Sequence, residues 1–213
     1  MKIYCFSGLG ADKRVFSELS LNYELIHINW ISVEKNTTIE EYALQLSRSI
    51  DQTQEHIIMG VSFGGLIAME VSKITKAKLI ILISSAEIRS ELKPLHRFAG
   101  KVQLTKLIPS FLIIPPTCLL ALAFGTKRKQ LLKEVLADSN PHFMKWAVHQ
   151  LCTWQNVERG LNVLKISGDK DQLMQINKDA IVIKGGKHLM IMDCSEEVST
   201  VVSERLERSI FKG

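Results

Sequence analysis

Apolar residues recur along this chain in short β-branched runs that alternate with longer stretches of helical spacing. Ile3–Phe6 reads as a buried strand and Val15–Leu19 as a short helix. Tyr23–Trp30 gives a second strand. Ile39–Ile50 places Tyr42, Leu44, Leu46 and Ile50 at helical spacing behind the cap candidates Thr37 and Thr38. A third strand at Ile57–Val61, a helix at Phe63–Ile74 and a fully apolar fourth strand at Lys78–Ile83 follow. The pattern resumes at Leu161–Ser167 and Ala180–Ile183, and an amphipathic helix closes it at Glu196–Phe211. Short βα repeats of this kind predict a parallel sheet with helices on both faces. The expected fold class is therefore three-layer α/β/α, with a mainly parallel sheet of about six strands.

Residues 87–156 break that rhythm. They hold all five prolines, and ten Lys/Arg against four Asp/Glu, so this segment carries the positive charge of a chain whose net charge is +5. We expect a core built from 1–86 and 157–213, and a helical, proline-broken lid inserted between them. Leu107–Phe124 contains no charge over 18 residues, long enough to span a membrane. Pro109 and the Pro115-Pro116 pair argue against an unbroken spanning helix, because each removes an amide and clashes with the preceding turn. Stable membrane insertion is not expected, and short helices lying over the end of the sheet are. The four cysteines, Cys5, Cys118, Cys152 and Cys194, show neither disulfide nor metal spacing. With the N-terminal apolar run too short for an export signal, they predict free thiols and a cytoplasmic setting.

The sharpest chemical signal is Gly60-Val61-Ser62-Phe63-Gly64, between an apolar strand and a helical pattern. Gly-x-Ser-x-Gly at a strand-to-helix junction is the sequence form of a nucleophile elbow. Gly60 and Gly64 flank a turn too tight for side chains, and the helix aims its first amides at Ser62. A serine hydroxyl needs a base, an orienting acid and amides for the oxyanion. Loops at the carboxyl ends of the strands are where an open parallel sheet brings such groups together. After Ile181–Ile183 comes Gly185-Gly186-Lys187-His188, which makes His188 the base. After Leu164–Ser167 comes Gly168-Asp169-Lys170-Asp171, where Asp171 has the longer reach. Asp169 and Glu87 remain alternatives for the acid.

The order Ser62…Asp171…His188 resembles the triad order of the α/β-hydrolase superfamily, and the resemblance covers most of the chain. Ser7-Gly8-Leu9-Gly10 is similar to the segment that supplies one oxyanion amide there, with serine where histidine is usual. The resemblance implies an oxyanion hole made by the backbone N–H groups of Leu9 and Phe63, and a cap inserted where residues 87–156 fall. It also implies two departures. The chain begins on what would be the family's third strand, and a separation of 17 positions from Asp171 to His188 leaves little room for a helix.

These parts predict a serine hydrolase that cleaves a carboxylic ester through an acyl-enzyme, without a cofactor or a metal. The apolar insertion and Lys127-Arg128-Lys129 suggest a hydrophobic acyl pocket whose entrance favours anionic or amphiphilic esters. Thioesterase, lactonase or perhydrolase chemistry uses the same residue set, and so would a ligand-binding protein with negligible turnover. A dinucleotide fingerprint at Gly8-Leu9-Gly10 fails, since Lys13 stands where its third glycine belongs and Trp30 where its acid belongs. His142 and His149 share one helix face but lack a third metal ligand. No nucleic-acid module is present.

Overall fold

A computed structural model of the protein describes residues 1–34, 36–103, 124–126 and 128–210. Six strands form one sheet: β1 (Lys2–Phe6), β2 (Glu24–His27), β3 (His56–Val61), β4 (Leu79–Ile83), β5 (Val163–Gly168) and β6 (Ile181–Ile183). Their order across the sheet is β2-β1-β3-β4-β5-β6, and every neighbouring pair is parallel. The chain winds outward from β1 to β2, then reverses through β3 to β6. Between β1 and β3 lies a topological switch point, where the loops leaving two neighbouring strands part and open a crevice.

Strand alternation sorts the core into two layers. Tyr4, Phe6, Ile58, Ile80 and Leu82 face one side, where they meet α1 (Ile39–Ser47), α2 (Phe63–Thr75) and α5 (Pro141–Thr153). Ile3, Cys5, Met59, Val61, Ile81 and Ile166 face the other. There α6 (Met190–Asp193), α7 (Ser195–Ile210) and the 3₁₀ turn Lys13–Phe16 cover them. Both faces are sealed, so the central strands β3 and β4 are buried throughout.

Local chemistry sets the helix starts. Thr38 caps α1 by accepting from the Glu41 N–H at 3.1 Å, while the Thr38 N–H donates to Glu41 Oε2 at 2.8 Å. Of the prolines in the central segment, Pro94 begins α3 (Pro94–Lys101) and Pro141 begins α5, where the missing amide costs nothing. Asn140 caps α5 through the N–H groups of His142 and Phe143. A further helix, α4, runs over Lys129–Ala137. Most of the uncharged run, with Pro109, Pro115, Pro116 and Cys118, lies outside the described residues. Among the described residues, no helix is long and apolar enough to cross a membrane.

Helix α5 is anchored in the first core layer. Phe143 and Ala147 are buried in it, with Trp30 and Phe143 rings 5.4 Å apart and Tyr42 and Trp146 rings 4.5 Å apart. Just past α5, Trp154 Nε1 donates to Glu70 Oε1 on α2 at 2.7 Å. The edge strands are shorter than their apolar runs. Only Glu24–His27 pairs with β1, because Trp30 turns away to donate its indole N–H to the Ala11 carbonyl at 3.1 Å.

Candidate active site

Ser62 closes β3 and precedes α2 with φ 53° and ψ −123°, a backbone conformation that non-glycine residues rarely adopt. Its neighbours hold it there. The Ser62 N–H donates to the Ile83 carbonyl at 3.0 Å, and the Ser62 carbonyl accepts from Ser85 Oγ at 2.7 Å and from the Gly65 N–H at 2.9 Å. The two elbow glycines are steric requirements. A Cβ on Gly60 would lie 2.4 Å from the Gly64 carbonyl oxygen, and one on Gly64 would lie 2.1 Å from that of Ser7.

The other two side chains come from the loops after β5 and β6, which cross at a pair of glycines. A Cβ on Gly168 would sit 2.2 Å from the Gly186 carbonyl oxygen, so only glycine permits the crossing. The Lys170 N–H donates to that same carbonyl at 2.9 Å and locks it. Gly185, at φ +77°, turns the base loop back over the sheet. His188 thereby places Nε2 2.8 Å from Ser62 Oγ, and its Nδ1 lies 2.9 Å and 3.1 Å from the two Asp171 oxygens. With the carboxylate accepting from Nδ1–H, Nε2 presents its lone pair to the serine hydroxyl.

Asp171 is the acid that reaches His188. Its Oδ1 also accepts from the Leu173 and Met174 N–H groups at 2.8 Å and 3.0 Å. Burial pushes this carboxyl up, but the hydrogen bond and charge of His188 and the two amides outweigh it, leaving it below the ordinary carboxylate value. The alternatives are placed elsewhere. Asp169 is exposed and accepts from the Gly185 N–H at 2.6 Å, so it shapes the base loop. Glu87 is buried against Lys165 Nζ at 2.9 Å and Arg159 Nη1 at 2.6 Å. Lys165 also pairs with Glu91 at 3.0 Å and Asp179 at 2.5 Å, closing a knot of five charged side chains.

Gly8 packs on Ser62, its Cβ direction 3.5 Å from the serine Cβ, so the loop after β1 runs beside the hydroxyl. The amide of Phe63 opens α2, where an N–H has no intrahelical acceptor. Leu9 lines the Ser62 cavity. Ser7, fully buried, donates its hydroxyl to the Ala11 carbonyl at 2.7 Å and so braces this loop from within.

Two residues at the site carry no signal in the sequence. Phe124 stacks on the His188 ring, with centroids 5.4 Å apart and planes at 22°. Ser85 holds the elbow from β4's exit. A cavity of about 40 Å³ lies against Ser62 and His188, walled by Val15, Phe124, Leu131, Leu132, Leu189 and Met192. Ala11 and Val135 separate it from an open cleft of about 510 Å³ that reaches Asp12, Trp30 and Asp138. Among the described residues, no Lys or Arg lines that cleft.

No family model matches the sequence, and no curated protein matches it significantly. Solved structures do match. A thermophilic esterase from Thermogutta terrifontis aligns with a TM-score of 0.72 and 14% identity over 98% of this chain and 90% of that one. A candidate lipase from Acinetobacter baumannii gives 0.74 and 16% over 100% and 85%. MenH from S. aureus gives 0.68 and 16% over 98% and 94%. With the sheet order and the elbow, this likeness establishes the class: the chain has the α/β-hydrolase fold. Identities this low speak to the fold alone.

Proposed function

We propose that the protein is a serine hydrolase that cleaves a carboxylic ester through an acyl-enzyme. The observation that carries this reading is the unbroken hydrogen-bonded line from Ser62 Oγ through His188 to Asp171. Ser62 attacks the acyl carbon as His188 Nε2 takes its proton, and the buried Asp171 carboxylate stabilises the imidazolium. The amides of Leu9 and Phe63 bind the oxyanion. His188 then gives the proton to the leaving alcohol, and water, activated the same way, releases the acid.

The substrate reading follows from the cavity beside Ser62 and the cleft that shares Ala11 and Val135 with it. A cavity of about 40 Å³ holds on the order of one or two waters, which suits a short apolar group rather than a long chain. The open cleft, with Asp12 and Asp138 paired to Arg14, suits a polar, uncharged portion of the ester. The segment 87–156 acts as the cap, since Phe124 covers His188 and α4 supplies Leu131 and Leu132 to the cavity wall. The free, buried thiols of Cys5 and Cys152 fit a reducing, cytoplasmic setting.

A fluorophosphonate probe tests the chemistry: it labels the wild type and spares Ser62→Ala, and equal labelling of both would refute it. Nitrophenyl esters of increasing chain length test the pocket. Turnover highest on acetate to butyrate supports it, and a preference for octanoate removes it.

A further inference from the structure

Away from Ser62, a second pocket of about 380 Å³ lies beside α3, lined by Arg89, Arg97, Phe98, Gly100, Lys101 and Gln155. Three of these six residues are cations and none is an acid. We propose that this pocket binds a phosphate group.

Charge balance is the first argument. Residues 92–133 contain eight Lys/Arg and no Asp or Glu, so no part of that run can bring a carboxylate to the pocket. Residues 139–157, which include α5, contain none either. Glu87 and Glu91, two positions either side of Arg89, are already committed to Lys165 and Arg159, and Glu158, three positions past Gln155, is exposed and does not line the pocket. Three clustered cations without a counter-charge repel one another, and an anion removes that cost.

The second argument is an orphan donor. Arg97 Nε is buried without a hydrogen-bond partner among the described residues. A buried guanidinium N–H left unpaired is expensive, and such groups mark places where an ion or water belongs. A phosphate oxygen is the acceptor that a guanidinium fork fits best, with lysine adding a point charge.

The pocket is also held open by its frame. A Cβ on Gly100 would fall 1.9 Å from the Cys152 carbonyl oxygen, so α3 lies directly against the α5 backbone. Arg89 Nη1 donates to the Trp154 carbonyl at 2.5 Å, which fixes a second cation. Phe98, 62% exposed, offers an apolar wall beside the charges. Free inorganic phosphate and a phosphate carried on an organic molecule share the chemistry that this pocket recognises.

The test reads binding, not hydrolysis, so its outcome is independent of the ester reading. Melting of the intact protein is compared in phosphate and in chloride at equal ionic strength and pH, up to about 20 mM phosphate. The wild type and a Lys178→Gln control gain stability in phosphate. The double variant Arg97→Gln/Lys101→Gln loses that gain while melting normally in chloride, and Arg97→Lys binds roughly tenfold more weakly. Phenyl phosphate separates the sources. Tighter binding than inorganic phosphate, abolished in Phe98→Ala, assigns an organic phosphate; equal binding assigns the free ion. No gain in the wild type, or a full gain in the double variant, overturns the proposal.

Discussion

Two polar clusters hold buried carboxylates, one at the carboxyl ends of β3, β5 and β6 and one gathered around Lys165 on β5. One is Ser62, His188 and Asp171; the other is Glu87, Glu91, Arg159, Lys165 and Asp179. The second satisfies itself: each carboxylate meets a cation, and Lys165 Nζ meets three carboxylates within 3.0 Å. The first is left open. Its serine hydroxyl faces a cavity, and its base has one acid on one side only. A buried carboxylate is therefore not a functional mark by itself. What its partner still has free to do decides between chemistry and structure.

The comparison breaks most sharply at the base. His188→Ala should cut ester hydrolysis by roughly four to six orders of magnitude with the fold intact, and unchanged turnover would end the catalytic reading. Asp171→Asn should cost about four orders of magnitude, because the imidazole loses the group that sets its tautomer. Glu87→Gln should leave turnover per folded molecule near the wild type, so a large loss there would reverse the two assignments. Lys165→Met probes the other cluster. It leaves three carboxylates to share Arg159 and should lower stability by about 3 kcal/mol in urea titrations, without a matching fall in kcat well below the melting temperature.

Acid sharpens the same contrast. The Asp171 carboxyl sits below its ordinary value in the fold, so the stability it contributes is complete above its unfolded value of 3.8 and is lost as pH falls through the lower folded value. Urea unfolding between pH 5 and 2.5 should therefore show a shallower decline for Asp171→Asn than for wild type. Parallel curves would contradict the hydrogen-bonded arrangement. The smallest effect belongs to Asp169→Asn, an exposed carboxylate whose oxygen survives as an amide carbonyl for Gly185, with under tenfold change in kcat.

How much of this was readable from the chain depends on how local each determinant is. The strands alternating with helices, and the elbow glycines, are set by residues within a few positions of one another. The parallel six-stranded sheet follows from that pattern. The choice among Asp169, Asp171 and Glu87 was narrowed but not closed by reach alone. It turns on the close passage of Gly168 and Gly186, eighteen positions apart in the chain, and on Lys165 engaging Glu87. Lys165 did leave a trace, as the one charged residue between Leu164 and Ile166 in an apolar strand. Phe124 left none, since it ends a run in which every neighbour is equally apolar. The second strand ends short of the Trp30 bound that its sequence predicts, because the register with β1 stops at His27.

The left-handed backbone at Ser62 has an evolutionary corollary. Glycine tolerates that geometry better than any L-residue, so Ser62→Gly should melt above Ser62→Ala although it removes more side-chain atoms. Selection for durability alone would thus drive this position toward glycine. On the proposed reading, serine stands there, in a pose that works against the fold's own persistence, because its hydroxyl has a task to perform.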